Sequence, residues 1–192
     1  MEDDSKLRTF LAIDIDENLI ANILDIQREF KSTKADVKYV SKENLHLTLK
    51  FFGDVDESML SKISKVVKET LLGFKPIKLD FSGLGAFPSD NHVNVIWIGV
   101  FENNELLNLV NRLNKGFNGL GFKEEKNFKS HLTIGRMRNS RNKNEVKDII
   151  HNFKGFEVGV MEVFKLSLKK SDLTPAGPVY SDLEIFEFNL KK

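Results

Sequence analysis

Two short stretches of this chain carry side chains suited to moving protons. Leu45-His46-Leu47-Thr48-Leu49-Lys50-Phe51-Phe52 sets a His and a Thr two places apart inside an apolar run, and Lys129-Ser130-His131-Leu132-Thr133-Ile134-Gly135-Arg136 does so again. The 192 residues include only six Thr and four His, so chance rarely produces two such pairs in matched settings. Successive side chains of a β-strand point to opposite faces, so His46 and Thr48 share one face while Leu45, Leu47 and Leu49 line the other. His131 and Thr133 pair in the same way, backed by Leu132 and Ile134. A strand holds such groups more firmly than a loop does.

Two imidazoles and two hydroxyls around one centre suit a phosphodiester. The hydroxyls donate to the non-bridging oxygens, one His deprotonates the attacking water and the other protonates the leaving oxygen. Imidazole fits both roles because its ordinary pKa of about 6.5 lets one ring be neutral and the other cationic near neutral pH. Metal coordination by His46 and His131 is disfavoured, since neither motif strand carries a carboxylate for a third ligand; no metal and no cofactor are expected. By strict alternation Lys50 joins the His46 face and becomes a candidate phosphate contact. Arg136 has the opposite parity to His131 and reaches the site only if Gly135 permits a bulge or twist. Phe52 is a candidate base-stacking residue, in competition with a core role. His92 and His151 lack a partner Thr and read as surface residues.

The elements that must position these groups follow from periodicity. Strands are expected at Thr9 to Ile15, Val37 to Val40, along both motifs, at Ile77 to Leu84, Val93 to Val100, as one long strand from Phe156 to Leu168, and near Tyr180 to Leu190. Gly83, Gly85 and Pro88 read as turn signals after the strand at Ile77. Helices are expected from the Asp16-Glu17-Asn18 cap to about Lys31, across Met59 to Leu71, from Asn104 to Phe117 and from Asn144 to Phe153. The charged Lys123 to Lys126 segment leads into the second motif. His131 minus His46 is 85, and the same offset lays Phe10 on Val95, Leu11 on Ile96, Ile13 on Ile98, Ile15 on Val100, Glu17 on Glu102 and Asn18 on Asn103. This internal repeat, roughly 8–88 and 93–168 with a last strand at 179–190, implies one α+β domain of two pseudo-twofold lobes. Each lobe is a small antiparallel sheet backed by helices, and the His-Thr pairs converge on a cleft between them.

Composition narrows the setting. Lys and Arg total 29 against 28 acids, which excludes a polyanion-binding field over the whole surface. The absence of Cys removes disulfides, thiolate catalysis and thiolate metal sites. With an acidic start at Met1-Glu2-Asp3-Asp4-Ser5 and no long apolar run, a cytoplasmic protein without membrane attachment is expected.

The pairs His46-Leu47-Thr48-Leu49 and His131-Leu132-Thr133-Ile134, one per half, resemble the two-histidine (2H) phosphoesterase superfamily. The flanking Glu43-Asn44-Leu45, Lys50-Phe51-Phe52-Gly53, Gly85-Ala86-Phe87-Pro88, Val95-Ile96-Trp97-Ile98-Gly99 and Gly177-Pro178-Val179-Tyr180 are similar to the bacterial and archaeal RNA 2′,3′-cyclic phosphodiesterases, historically called LigT-like 2′-5′ RNA ligases. The resemblance implies metal-independent opening of a 2′,3′-cyclic phosphate to a 2′-phosphomonoester, with His46 as proton donor and His131 as acceptor. It also implies RNA ends as substrates, tRNA fragments among them, with 2′-5′ ligation as the reverse reaction, in a monomer. A basic residue often stands where Arg136 does, whereas Ser130 replaces a usual Pro. A 2H enzyme acting on a small cyclic nucleotide, on ADP-ribose cyclic phosphate or on 2′-5′ oligonucleotides would use the same four residues. A noncatalytic RNA-end module would not need both His.

Overall fold

A computed structural model describes residues 6–101, 103–124, 128–175 and 177–188. Glu102, part of the Lys123 to Lys126 segment, the acidic start and the last residues of the expected final strand, through Leu190, lie outside the described residues. The elements run β1 (Leu7–Asp14), α1 (Glu17–Ser32), β2 (Val37–Tyr39), a 3₁₀ turn (Lys42–Asn44), β3 (His46–Val55), α2 (Glu57–Leu71), β4 (Ile77–Ser89), β5 (His92–Val100), α3 (Asn104–Gly119), β6 (His131–Met137), α4 (Lys143–Asn152), β7 (Glu157–Val163), β8 (Lys165–Thr174) and β9 (Gly177–Glu187). Three helices begin on a side-chain cap that satisfies an otherwise unpaired N–H: Asp16 accepts from Glu17, Asp56 from Met59 and Asn103 from Leu106.

All strand pairs are antiparallel, in the order β7-β4-β5-β6-β3-β1-β8-β9, with β2 added to β6. The order reads alike from both ends once the halves are exchanged: β3 matches β6, β1 matches β5, β8 matches β4 and β9 matches β7. The motif strands β3 and β6 lie side by side at the centre and are joined by one residue pair, Leu47 with Leu132. Beyond that pair they diverge, and the divergence is the floor of the cleft.

The lobes are not the two halves of the sequence. Helix α1, which follows β1 of one lobe, packs on β6, β7 and α4 of the other. It is tied there by Asn22, whose amide donates to the Val158 carbonyl. Helix α3 makes the reciprocal crossing, packing on α2 and seating Phe117 edge-on to Phe52 of β3. The expected long strand from Phe156 to Leu168 is in fact two strands. The chain leaves β7 beside β4, turns at the half-exposed Phe164 and enters β8 beside β1, so one apolar run serves both lobes. Likewise β4 continues through Gly83, Gly85 and Pro88 instead of turning there, with register shifts beside Gly83 and Pro88. No helix among the described residues is long and apolar enough to cross a membrane.

Gln27 shows how the crossing helix reaches the site. Its side chain is buried, and its amide donates to the carbonyls of Val40 at 2.8 Å and Ile134 at 2.9 Å, stitching α1 to the end of β2 and to the motif strand β6. Removing the donors leaves the part-buried Val40 carbonyl without this partner, while the Ile134 carbonyl keeps only the Val40 N–H at 3.0 Å. Gln27→Met, which keeps the volume, is expected to cost about 1–3 kcal/mol, and Gln27→Ala, which adds a cavity, about 2–5 kcal/mol. Urea unfolding of the two variants against the parent measures both; a loss below about 0.5 kcal/mol in each would mean that the stitch is unimportant.

Candidate active site

Both motif strands carry a β-bulge at equivalent positions, and the bulges decide which side chains face the cleft. In β3, Thr48 pairs with Ala12 and Lys50 with Leu11, so Leu49 is the extra residue; in β6, Thr133 pairs with Trp97 and Gly135 with Ile96, so Ile134 is extra. The two bulged residues are again 85 apart. Past a bulge the alternation is reset by one place. On β3 this turns Phe51 to the cleft, paired with Phe10, and sends Lys50 to the other face with Leu11. Lys50 is buried there, and its ammonium donates to the Lys123 carbonyl at 2.6 Å. Phe52 is core, edge-on to Phe117 and Phe122 at ring separations of 4.8 and 5.1 Å. Lys50 and Phe52, expected at the site by strict alternation, are therefore corrected. On β6 the same reset brings Arg136 to the face of His131 and Thr133.

The cleft so formed encloses about 350 Å³ and gathers His46, Thr48, His131, Thr133 and Arg136, with Phe51, Lys38, Tyr39, Asn44 and Tyr180 around them. Each candidate catalytic imidazole is fixed in the same way. His46 Nδ1 lies 2.7 Å from the Asn44 carbonyl and His131 Nδ1 2.8 Å from the Lys129 carbonyl. A carbonyl only accepts, so Nδ1 carries the proton in both rings and Nε2 is the nitrogen that can gain or lose one. His92 and His151 are exposed outside the cleft. Ser130, where a Pro was expected, is buried, and its carbonyl accepts the Val100 N–H.

The chain matches the family model described as LigT like Phosphoesterase twice, over residues 13–97 and 98–180. It belongs to the LigT-like phosphoesterases. It is 44% identical over 181 residues to the RNA 2′,3′-cyclic phosphodiesterase of Methanothermobacter thermautotrophicus, covering 94% of this chain and 98% of that protein. It is 41% identical to the protein of the same name from Archaeoglobus fulgidus, covering 94% and 100%. Among solved structures, TT0787 of Thermus thermophilus superposes with a TM-score of 0.80 at 26% identity, covering 95% of this chain and 98% of that one. Apo LigT of E. coli shares the fold, with a TM-score of 0.78 at 21% identity over 95% and 98%.

In this LigT-like phosphoesterase the pseudo-symmetry breaks behind the two imidazoles. His131 is backed by aromatic rings, Phe87 edge-on at 4.8 Å and Trp97 at 6.4 Å. His46 lies against Phe10 at 4.9 Å and edge-on to Tyr180 at 5.2 Å. Behind Phe10 stands a charge cluster built on the buried Lys169, which bridges Asp14 at 2.8 Å and Asp182 at 2.5 Å, while the Ser167 hydroxyl donates to Asp14 at 2.6 Å. Lys169, the β8 partner of Phe10, corresponds to Phe87, the β4 partner of Val95. Sequence reasoning assigned no role to Phe51, Lys38 or Tyr180. Tyr180 sat in a motif already singled out, whereas nothing in β3 alone announces the bulge that exposes Phe51.

Gly85 is required by this arrangement. A Cβ at that position would fall inside the Trp97 indole, which lies flat on the strand and supports the wall behind His131. Gly85→Ala is expected to cost about 1–3 kcal/mol through overpacking and to lower turnover by displacing Trp97; unfolding curves and steady-state rates check the two effects, and wild-type values for both would refute the packing role.

Burial holds the His46 pKa below the ordinary imidazole value, with Lys169 adding to the depression, while the Asn44 carbonyl and Asp14 oppose it. The unfolded chain therefore binds the His46 proton more readily than the folded one. Stability linked to His46 is complete above the unfolded value of about 6.5 and is lost as pH falls through that value toward the lower folded one. The ring-proton shift of His46, followed by NMR, should show a midpoint below about 6.5; a midpoint above it would contradict the burial argument.

Proposed function

We propose that the cleft hydrolyses RNA 2′,3′-cyclic phosphate ends to 2′-phosphomonoesters without a metal ion. The observation that carries the reading is the pair of His-Thr strands meeting at Leu47 and Leu132, each imidazole pinned through Nδ1 to a backbone carbonyl, in a cleft of about 350 Å³. The names of the relatives support the substrate. Among the described residues, no three His, Asp or Glu side chains gather to hold one cation. Both His-Thr pairs come from one chain, so a monomer suffices, and a cytoplasmic pool of RNA ends such as tRNA fragments would supply substrate.

In this scheme Nε2 of His131 takes a proton from water as its oxygen bonds to phosphorus. The bond from phosphorus to the 3′-oxygen breaks, and Nε2–H of His46 protonates that oxygen. Thr48 and Thr133 donate to the non-bridging oxygens, whose charge grows in the transition state. Exchange with solvent then returns a proton to His46 and removes one from His131. Arg136 binds substrate phosphate, and Phe51 takes the stacking role first sought in Phe52.

Turnover of a cyclic-phosphate dinucleotide in EDTA, with the product isomers separated, tests the proposal. His46→Ala and His131→Ala should each lose roughly 10²- to 10⁴-fold in rate, and the double variant far less than the product of the two. Thr48→Ala and Thr133→Ala should each lose about 2 kcal/mol of transition-state stabilisation. Metal-dependent rescue after EDTA, or full activity in all four folded variants, would refute the scheme; a 3′-phosphate product would reverse the two His roles.

A further inference from the structure

The cleft holds more positive charge than a cyclic phosphate requires. Lys38 on β2 and Arg136 on β6 are Cα partners in register, and both line the cleft. Like charges placed directly opposite on antiparallel strands repel and destabilise the pair. No Asp or Glu is among the described residues lining this cleft to offset them. The Lys38 ammonium reaches the rim of the site opposite β2: it lies against Gly177, the first residue of β9, where a Cβ would come within 2.7 Å of Nζ. Gly177 has φ of 137°, a conformation open chiefly to glycine, so the chain leaves space where the ammonium sits.

The reacting ring of a nucleoside 2′,3′-cyclic phosphate carries one negative charge, and the two His-Thr pairs already surround it. Thr133 and Arg136 face Trp97 and Val95 of β5, two residues apart, so the bulge leaves roughly 7 Å of strand between them, and Lys38 is the neighbour of Arg136 on the side of the cleft. That separation is the reach of a nucleotide, not of a bond. The next phosphate on an RNA 3′ end is the one that joins the terminal nucleotide to its 5′ neighbour.

Resting on the cyclic-phosphate reading, we infer that Lys38, with Arg136 beside it, forms a second anion subsite that binds this 5′-phosphate and so favours RNA ends over isolated nucleosides. Lys38 is a specificity residue here and takes no part in the bond-breaking step.

The test compares adenosine 2′,3′-cyclic phosphate with its 5′-phosphorylated form, which has the same base and the same reacting ring. In the wild-type enzyme the 5′-phosphate should lower KM roughly threefold to tenfold, the range for a solvent-exposed charged contact. In Lys38→Ala the ratio of the two KM values should collapse toward one, in Lys38→Glu it should invert, and in Lys38→Arg it should persist. The salt dependence of KM for the 5′-phosphorylated compound should also weaken in Lys38→Ala, because added salt screens a charge contact that the variant lacks. A wild-type ratio of one, or a ratio unchanged in Lys38→Ala, would overturn the inference while leaving hydrolysis of the cyclic phosphate intact. Failure of the wild-type enzyme to turn over either compound would instead overturn the activity on which it rests.

Discussion

The chemistry of the cleft depends on where two strands fall out of step with their neighbours. An extra residue at Leu49 and another at Ile134 reset the alternation of β3 and β6 just after each His-x-Thr. Upstream of the bulge the four proton-handling and hydrogen-bonding groups are held in strict alternation. Downstream of it, the residues that meet the rest of a ligand are chosen by the bulge. The bulge in β6 is held from both sides, since the Ile134 carbonyl accepts from the Val40 N–H and from Gln27 on the helix that crosses over from the other lobe. A single unpaired residue, stabilised from a distant element, thus settles that Arg136 and not its neighbour enters the cleft.

Because the bulges are equivalent, the positions they expose are equivalent too, and this is where the halves differ chemically. Phe51 and Arg136 occupy matched places, one an aromatic face and the other a cation. Lys169 and Phe87 do the same behind the imidazoles. In the proposed scheme the four motif residues stand almost symmetrically about phosphorus, so the orientation of a substrate would come from these unlike pairs. An aromatic surface beyond one motif and cations beyond the other suit a ligand that is base at one end and phosphate at the other.

The His-Thr pairs, the repeat and the sheet-and-helix content were legible because strand and helix periods are local properties of the chain. The reading failed where a partner remote in sequence decides. Lys50 and Phe52 were placed by alternation that the pairing with β1 interrupts. Gly85 looks like punctuation in isolation, yet its cause is the Trp97 indole lying across it. The run from Phe156 to Leu168 keeps apolar residues along its whole length because both of its parts are strands with buried positions, and no residue in it records that they belong to different lobes. Arg136 was conditional on a bulge at Gly135, and the extra residue is its neighbour Ile134.

The exchange of helices between lobes has a mechanical consequence. Two sheets joined through one residue pair would open and close like a book along the Leu47–Leu132 line. Here α1 starts in one sheet and is fastened to the other, α3 does the reverse, and the chain crosses again at Phe164. These three crossings act as stays that resist bending about the spine. At the rim the lobes also meet through the first residues of β9, where Gly177 lies against Lys38 and the Pro178 carbonyl accepts from Asn44. The two imidazoles, one on each sheet, are therefore held in a frame that is assembled as the chain folds.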